Sequence, residues 1–478
     1  MQISRTHFFI FFFLLSSFIS NAQTAWTLQQ CVDYAVMHNL QVKQSELNTE
    51  LTHNSYQESV ASMFPSLNGN ASQNYFYGRS IDPTTNGFTN ERIRSNSFSL
   101  SSTVPLFEGL QLQNTLRQSK LNYESSQFEL KKIQNDISLN VVTLYLQVLY
   151  NQDLLASADK QVEATQAQFN RTHRMEELGS ASKGSLLDIE AQLAQDDSRR
   201  ITAKAQLDQS MLSLKQLLEL DSVENFSIVQ PDAPVPEFIA AQYNANSIYQ
   251  EALKNQPDIR SQELKVKSAE RGLSIARGGI YPRLYLSGAL STNYSSEALG
   301  LDYTIIQPAG YVYTGYTSTN DSVFTLFPSS VQPVYKKSSF SDQINHNLGK
   351  SIGLSLQVPI FNGWNVRTNV KRAKIGLEEA RLTQEITRKN LYKSIQQSVS
   401  DAQSSFQKYG AAQKNSAAQE QAYNYNQQRF DLGLISTFDY LTSKNNVTKA
   451  QADLLQARYD YIFRLKIIDF YLGKPFTF

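Results

Sequence analysis

A six-residue segment occurs twice in this chain and marks the same kind of boundary each time. Residues 104–109 read Val-Pro-Leu-Phe-Glu-Gly, and residues 358–363, at an offset of 254, read Val-Pro-Ile-Phe-Asn-Gly. Each copy ends an alternating, strand-like run and precedes a long run with helical periodicity. Repetition of this kind constrains the fold more than any local pattern, and it predicts two structural repeats. The predicted strand–helix joints are marked by Pro105, Gly109, Pro359 and Gly363.

The first joint connects a predicted strand with a very long predicted helix. Even positions from Asn96 to Leu106 are mainly apolar, and the odd positions up to Thr103 are Ser or Thr, the pattern of a strand with one apolar face. From Phe107 to about Leu178, apolar residues recur every three or four positions. About 70 residues at 1.5 Å per residue make a helix on the order of 100 Å long. Gly179 then predicts a tight turn into a helix that returns to about residue 220.

The second half repeats this order with one insertion. An offset of 217 aligns the predicted strand entry at residues 64–67 with that at residues 281–284. The larger offset of 254 aligns the two joints and, without a gap, aligns Gly179 with Gly433. The offsets differ by 37 residues, which places an insertion within about 295–347. Insertions of that size belong in exposed loops, so we expect a long loop there.

The predicted helix lengths also match within each half. Residues 28–62 predict one helix, and together with the returning helix it equals the long helix in length. We therefore expect the two shorter helices to stack end to end along the long one. In the last helix, apolar residues from Val447 to Leu472 form a heptad seam that is typical of coiled-coil packing.

The N-terminus has the features of a secretory signal peptide that ends at residue 22. Arg5 precedes an apolar run of 12 residues, and small residues flank the expected cleavage site. Removing Arg5 leaves 43 basic residues against 43 acidic ones, and this balance argues against a nucleic-acid partner. Cys31, the only cysteine, lies in a helical pattern without the flanking residues of a lipid anchor, so we expect a buried thiol.

The chemistry-bearing residues form no catalytic, cofactor or metal pattern. His38, His53, His173 and His346 lack the spacing of a metal site or a catalytic triad. Gly-rich phosphate loops are absent from the sequence. We therefore expect neither enzymatic activity nor a bound cofactor.

Four predicted strands per chain are too few to close a barrel, which needs about eight. Exposed strand edges would also promote aggregation of an exported protein. The strands are therefore expected to pair with those of other copies, with apolar faces toward lipid and Ser-, Gln- and Asn-rich faces toward a wet lumen. A soluble β-sandwich would not account for helices this long.

In the order and spacing of these features, the chain resembles the TolC-type outer-membrane efflux proteins over essentially all of the mature sequence. The resemblance rests on the duplicated layout, the strand entries, the joints and the segment Phe430–Leu441 at the second turn. It implies an α+β membrane protein: a homotrimer whose twelve strands, four per chain, form one β-barrel continuous with a long α-helical periplasmic barrel. It also implies a channel-tunnel that exports small molecules or proteins. The implied partners are outer-membrane lipid, a periplasmic membrane-fusion adaptor and an inner-membrane pump of the RND or ABC type.

The resemblance further implies functional positions near the turns. Asp439 matches an acidic position that lines the narrow periplasmic mouth, and Asp188 is a weaker second candidate. Residues 436–439 also fit a capping box, in which Asp439 stabilises a helix N-terminus, and the two roles can coexist. Ile435 replaces a charged residue of the family, which argues against a gating ion pair there. The expected adaptor-contact residues are Gly179, Ser180, Ala181, Gly433, Leu434, Ile435 and Ser436.

The predicted organisation is a signal peptide (1–22), a first repeat (23–220), a connector (221–244) and a second repeat (245–478). A periplasmic coiled-coil adaptor or scaffold is the alternative function. It would explain the long helices and the signal peptide, but it leaves the two predicted hairpins unexplained. A requirement for detergent would distinguish the channel from this alternative.

Overall fold

The computed structural model describes residues 25–81, 86–90, 92–220, 226–231 and 243–475. The predicted signal peptide and most of the predicted connector lie outside these ranges. The first half contains α1 (Leu28–His38), α2 (Leu40–Ala61), β1 (Ser66–Phe76), β2 (Ser80–Ile81), β3 (Phe88–Thr89), β4 (Ile93–Glu108), α3 (Gln111–Glu177) and α4 (Lys183–Leu217). The second half contains α5 (Ala245–Asn255), α6 (Pro257–Gly278), β5 (Arg283–Ser295), β6 (Leu299–Gln307), β7 (Gly310–Tyr316), β8 (Ser322–Phe327), β9 (Ser330–Lys337), α7 (Phe340–His346), β10 (Gly349–Gln357), α8 (Asn365–Asp431) and α9 (Thr437–Tyr471).

The two halves repeat each other residue for residue in their helices. An offset of 217 converts the bounds of α1 and α2 into those of α5 and α6, and an offset of 254 converts α3 and α4 into α8 and α9. Both long helices have 67 residues, so each is about 100 Å long. Among the described residues, no helix is long and apolar enough to cross a bilayer.

The predicted single helix over residues 28–62 is wrong in one respect, because Asn39 interrupts it. Asn39 is extended (ψ 132°), and its side-chain oxygen accepts a hydrogen bond from the Gln41 amide, which caps α2. The equivalent Gln256 interrupts the second half, where the following Pro257 disfavours helical geometry. A side-chain amide is therefore free to point away from the helix axis at both breaks.

These side chains connect the short helices end to end. Asn39 Nδ2 donates to the Leu217 carbonyl at the end of α4 (3.2 Å), and Gln256 Nε2 donates to the Phe470 carbonyl near the end of α9 (3.3 Å). Along α3, α2 contacts Ser126 and α4 contacts Asn151 through side-chain hydrogen bonds. These contacts confirm that the short helices follow each other along the long one.

The chain separates into two compact units, each built from both halves. A helical unit comprises residues 1–54, 119–270 and 375–478, of which 25–54 are described in the first segment. A strand unit comprises residues 55–118 and 271–374.

The helical unit holds two apolar cores that are copies of one arrangement. The first is centred on side chains that are fully buried, namely Cys31, Ala35, Val141, Val148 and Leu214. The second contains the residues at the equivalent positions, namely Ile248, Ala252, Ile395, Ala402 and Ile468. The predicted burial of Cys31 is confirmed, and this burial raises the pKa of its thiol to about 12.

The strand unit contains one antiparallel sheet in the order β1–β4–β5–β10. The predicted alternation is confirmed, since Leu100 of β4 lies beside Leu290 of β5, and Leu286 lies beside Leu354 of β10. The apolar side chains of this face remain exposed, up to 87% for Ile352. An exposed apolar sheet face of this size suits lipid contact.

At the first joint the strand ends and the helix begins later than predicted, whereas at the second joint the strand ends as predicted. β4 continues through Pro105 to Glu108, and α3 begins only at Gln111. Pro105 lies opposite Tyr285 and is followed by a bulge, which lets a residue without an N–H remain in the ladder. On the β1 side the ladder ends at Thr103, and in the second half β10 ends before Pro359.

Gly109 is required at the first joint by its backbone geometry and its close neighbour. Its φ is +61°, and an added Cβ would lie 2.3 Å from the Gly278 carbonyl oxygen. The residue after it, Leu110, also has positive φ (60°), and the second joint repeats this pair at Gly363 and Trp364. Two successive left-handed residues therefore turn each strand into its helix.

The insertion is not the long loop that was predicted, because it contains regular structure. β6 pairs with β9 and β7 pairs with β8, in two antiparallel ribbons, and α7 follows. Its tyrosines alternate with small and β-branched residues, a composition that favours strands as well as loops. Several of these aromatic side chains are exposed, including Tyr303, Tyr311 and Tyr335.

Candidate functional site

Each long helix ends in the same hydrogen-bonded turn. Gly179 and Gly433 have φ of +72° and +74°, and their amides donate to the carbonyls of Glu176 and Phe430. The next amides, of Ser180 and Leu434, donate to carbonyls five residues earlier. This left-handed glycine cap satisfies the last carbonyls of the helix and reverses the chain. The predicted turns are therefore confirmed as structural elements.

The next helix begins at once, with a serine as its N-cap. Ser182 Oγ accepts a hydrogen bond from the Ser185 amide, and Ser436 Oγ accepts one from the Asp439 amide, both at 3.1 Å. Ser436 Oγ also lies 2.7 Å from Asp439 Oδ2, to which it donates. The serine half of the predicted capping box is therefore present, while the Asp439 carboxylate accepts from the Ser436 hydroxyl rather than from the Ser436 amide. The charge of Asp439 in the first turn also favours the N-terminus of α9. Asp188 lies on an exposed face of α4.

The turns carry apolar side chains that project into solvent. Leu178 is 83% exposed, Leu432 is 74% exposed and Phe438 is 75% exposed. Leu434 is exposed beside them, while Ile435 is half-buried. Large apolar side chains clustered on polar helix ends indicate a surface that contacts another protein.

The two turns lie at the same end of the helical unit. Arg171 Nη1 of α3, about two helical turns before Gly179, lies 2.7 Å from Asp431 Oδ1 at the end of α8, two residues before Gly433. Next to Gly433, an open polar groove between α8 and α9 is lined by Arg429, Asp439 and Asn446. Asp439 therefore faces a wet, polar surface rather than the apolar core.

Deeper in the same helices, a buried ion pair joins α3, α4 and α9. Lys444 Nζ lies 3.2 Å from Asp196 Oδ2, and the exposed fractions of these residues are 2% and 1%. Thr165 Oγ1 contacts both groups, and Gln192 Nε2 donates to Asp196 Oδ1 at 2.8 Å. Burial lowers the pKa of Lys444, and the Asp196 carboxylate opposes that shift.

The sequence reading missed this network, although its signal is present in the heptad seam. The apolar seam of α9 extends backwards from Val447 to Tyr440 in steps of three and four residues through Lys444. A lysine at such a position must be buried, and this requires a partner. In α4, Asp196 occupies the matching position seven residues after Ile189 and seven before Ala203, both buried.

Across the described residues, no three His, Cys, Asp or Glu side chains are placed to hold a metal ion. The polar groups near the turns instead serve as caps, ion pairs and solvated surface. This arrangement suits protein contact and ion attraction.

A family model described as outer membrane efflux protein matches residues 32–219 and 248–474, nearly the whole chain. The chain belongs to this family. The two matched segments fall on the two structural repeats. Efflux proteins of this family are channels rather than enzymes, and they are homotrimers in the outer membrane of Gram-negative bacteria.

Individual relatives agree with this assignment. The chain is 23% identical to the outer membrane protein TolC of Escherichia coli over 471 residues, covering 96% of this chain and 84% of TolC. It is 23% identical over 443 residues to the solvent efflux pump outer membrane protein SrpC of Pseudomonas putida, covering 91% and 82%. The crystal structure of the CmeC outer membrane channel of Campylobacter jejuni superposes with a TM-score of 0.74 at 18% identity, covering 93% of this chain and 85% of CmeC. The fold of this efflux protein is therefore that of a trimeric TolC-like channel.

Proposed function

We propose that this protein is the outer-membrane exit duct of a tripartite efflux or secretion system. In this role it receives small molecules or proteins from an inner-membrane pump of the RND or ABC type through a periplasmic adaptor. The family and the apolar sheet face support the membrane channel. The alternative of a periplasmic coiled-coil adaptor is not favoured, because nearly the whole chain matches the channel family.

The adaptor contacts the turns at Gly179 and Gly433. The observation that carries this assignment is the exposure of three large apolar side chains at the turns, Leu178, Leu432 and Phe438. Burying three such side chains against a partner would contribute on the order of 1.5–3 kcal/mol each before the entropic cost of association. The contact residues comprise Gly179, Ser180, Ala181, Gly433, Leu434, Ile435 and Ser436.

A charge placed at the turn tests the adaptor contact. Among the described residues, no atom lies within 4 Å of an added Cβ at Gly433, and Asp tolerates positive φ better than most residues. Gly433→Asp should therefore keep the turn and abolish efflux, measured as drug and dye sensitivity of a deletion strain that carries the variant. Gly433→Asn, which has the same shape without the charge, is the matched control. Loss of outer-membrane trimers in Gly433→Asp would show that the turn is only structural.

Asp439 lines the periplasmic aperture of the trimer, and Asp188 contributes a second acidic position. Three Asp439 carboxylates near a threefold axis would attract cations and disfavour anions. Asp439→Asn keeps an oxygen for the Ser436 hydroxyl and removes the charge, so it should weaken block of single-channel current by Mg²⁺ in planar bilayers. Ser436→Ala, which removes the cap and keeps the charge, should leave this block unchanged. Equal block in wild type and Asp439→Asn would leave Asp439 with its capping role alone.

A further inference from the structure

Two arginines lie at the end of the apolar sheet face that is farthest from α3. The apolar residues of β4 occupy even positions, and Arg94 has the same parity near the start of that strand. Arg92 directly precedes the strand. A charged side chain without a partner is costly in hydrocarbon. The position of both arginines at the end of the face therefore indicates contact with lipid headgroups rather than with acyl chains.

The spacing along β4 matches the height of a membrane. Val104 lies near the end of the strand that leads into α3, and Arg94 lies ten residues before it. At about 3.4 Å per residue and a tilt of about 40°, this segment rises about 26 Å along the membrane normal. The lipid-facing apolar band of an outer-membrane barrel is about 25 Å tall. Because the helices of this family extend into the periplasm, Arg94 lies at the headgroups of the outer leaflet.

Aromatic side chains lie between the leucines of this face and the arginines. Tyr75 lies opposite Arg94 in the β1–β4 ladder, and Tyr294 lies opposite Asn96 in the β4–β5 ladder. Phe98 follows on the same face, two residues further along β4. Tyrosines are enriched where hydrocarbon meets the headgroups. The face therefore changes from apolar to aromatic to cationic in the order in which a lipid changes from acyl chain to headgroup.

Tyr294 holds Arg94 in place. The Nη2 atom of Arg94 donates to the Tyr294 hydroxyl at 3.1 Å, and the Cζ atom of Arg94 lies 5.2 Å from the centre of the Tyr294 ring. Tyr294 is only 9% exposed, and Phe340 of α7 packs against its ring with the centroids 5.2 Å apart. A short helix of the insertion thus supports the tyrosine that orients Arg94. A side chain that is already oriented loses less entropy when it binds a ligand.

The charges of the two arginines are not neutralised within the described part of the chain. Neither Arg92 nor Arg94 forms an ion pair with a described residue, and Arg92 instead lies over the Tyr75 ring, with its Cζ atom 5.9 Å from the ring centre. The nearby acidic residue Glu297 is paired with Lys337 at 2.9 Å. An arginine carries five N–H donors, so a single hydrogen bond to a tyrosine leaves most of them for a ligand. The site therefore attracts an anion.

We propose that Arg92 and Arg94 bind the phosphate of a phosphorylated lipid in the outer leaflet, whose acyl chains lie along the apolar sheet face. Guanidinium groups bind phosphate oxygens through charge-assisted and frequently bidentate hydrogen bonds. The rest of the ligand is apolar, because Arg94 continues a face whose leucines contact lipid. A phosphate joined to acyl chains satisfies both requirements. The site depends on the placement of the sheet in the outer membrane, and it does not depend on the adaptor or the aperture.

Lipid A, the phosphorylated glycolipid of Gram-negative outer leaflets, is the probe. Purified wild-type trimer in a non-ionic detergent is titrated with lipid A, and native mass spectrometry counts the bound lipid molecules. The same lipid without its phosphates should bind at least about tenfold more weakly. Inorganic phosphate at millimolar concentration and constant ionic strength should not displace lipid A. Equal binding of the dephosphorylated lipid, or displacement by inorganic phosphate, would overturn the proposal.

A double variant tests the assignment to the two arginines. Arg92→Gln with Arg94→Gln should weaken the binding of lipid A at least about tenfold and leave the binding of the dephosphorylated lipid unchanged. The matched control, Arg117→Gln with Lys120→Gln, removes two exposed cations from α3 and should bind lipid A as the wild type does. The comparison of the two lipids on wild-type protein does not depend on how the variants fold. Wild-type affinity in the double variant, or an equal loss in the control, would overturn the proposal.

Discussion

Removing the buried charge of Lys444 is expected to destabilise the helical unit strongly. In Lys444→Met the side-chain volume is nearly kept, but Asp196, whose side chain is 0% exposed, loses the nearer of its two cations and keeps only Arg199, at 3.5 Å. Removal of one member of a buried ion pair costs about 3–5 kcal/mol. Asp196 keeps hydrogen bonds from Thr165 (2.6 Å) and Gln192 (2.8 Å), so we expect a loss near the lower limit, about 3 kcal/mol.

The measurement is guanidinium unfolding of detergent-solubilised protein, followed by helical circular dichroism at a fixed protein concentration. A loss of about 3 kcal/mol corresponds to an unfolding equilibrium shifted by more than about 100-fold. Arg171→Met is the matched control, because it breaks an ion pair with Asp431 at 2.7 Å whose members are 50% and 34% exposed. Exposed pairs contribute about 0–1 kcal/mol, so this variant should be nearly as stable as wild type.

A double variant distinguishes the loss of the ion pair between Lys444 and Asp196 from the loss of side-chain packing. Lys444→Met combined with Asp196→Leu removes both charges and should recover stability to within about 1 kcal/mol of wild type. A cost below about 1 kcal/mol for Lys444→Met, or a double variant less stable than the single one, would show that the buried ion pair does not stabilise the helical unit.

The same lysine predicts a pH dependence. Burial lowers the pKa of Lys444 below its usual value of 10.5, although the adjacent Asp196 carboxylate favours the charged form and Arg199 disfavours it. Between the two pKa values the unfolded chain binds more protons than the folded one, so the free energy of unfolding rises with pH across that window. Lys444→Met should lack this rise, and an unchanged slope would assign it to other groups.

Two further predictions follow from Gly109 and Cys31. Gly109→Ala should cost about 2 kcal/mol or more, because alanine is strained at φ +61° and its Cβ would meet the Gly278 carbonyl oxygen at 2.3 Å; loss of heat-stable trimers measures this. Gly376→Ala, on an open face of α8, should instead stabilise slightly, and equal effects of the two variants would contradict the close approach. Burial raises the pKa of Cys31 to about 12, so its thiol should react with iodoacetamide at pH 8 at least about 100-fold more slowly in folded than in unfolded protein. Comparable rates would place the thiol at the surface.

Much of the helical architecture was predictable because its signals are local. Gly179 and Gly433 each follow a long apolar periodicity and precede a serine cap, and the chain turns there as predicted. The breaks at Asn39 and Gln256 were harder to predict, since their cause is partly a carbonyl of another helix. When a side chain donates a hydrogen bond to the end of a distant helix, the residues next to it in the sequence do not indicate that contact.

The sheet was predictable in pattern but not in extent. Pro105 suggested the end of a strand, yet pairing with β5 carries β4 three residues further through a bulge. The buried pair of Lys444 and Asp196 was missed for a similar reason, because each charge is tolerated only through its partner 248 residues away. Contacts between residues that are far apart in the sequence determine the structure at these positions. A local stretch of sequence contains only one member of each contacting pair.

The end-to-end contact between α2 and α4 along α3 has a consequence for how such a chain can change in length. A residue inserted into α3 would rotate every following side chain by about 100° and advance it by about 1.5 Å, so the seam beyond it would no longer meet α4. Insertions and deletions in these helices are therefore possible only in whole heptads. A change in a long helix has to be matched by an equal change in one of the short helices beside it. The two halves of this chain record that restriction: since the duplication, 70 residues have separated the joint glycine from the turn glycine in both, from Gly109 to Gly179 and from Gly363 to Gly433. Length has been free to vary in the strand unit, where one half gained two β-ribbons and a helix.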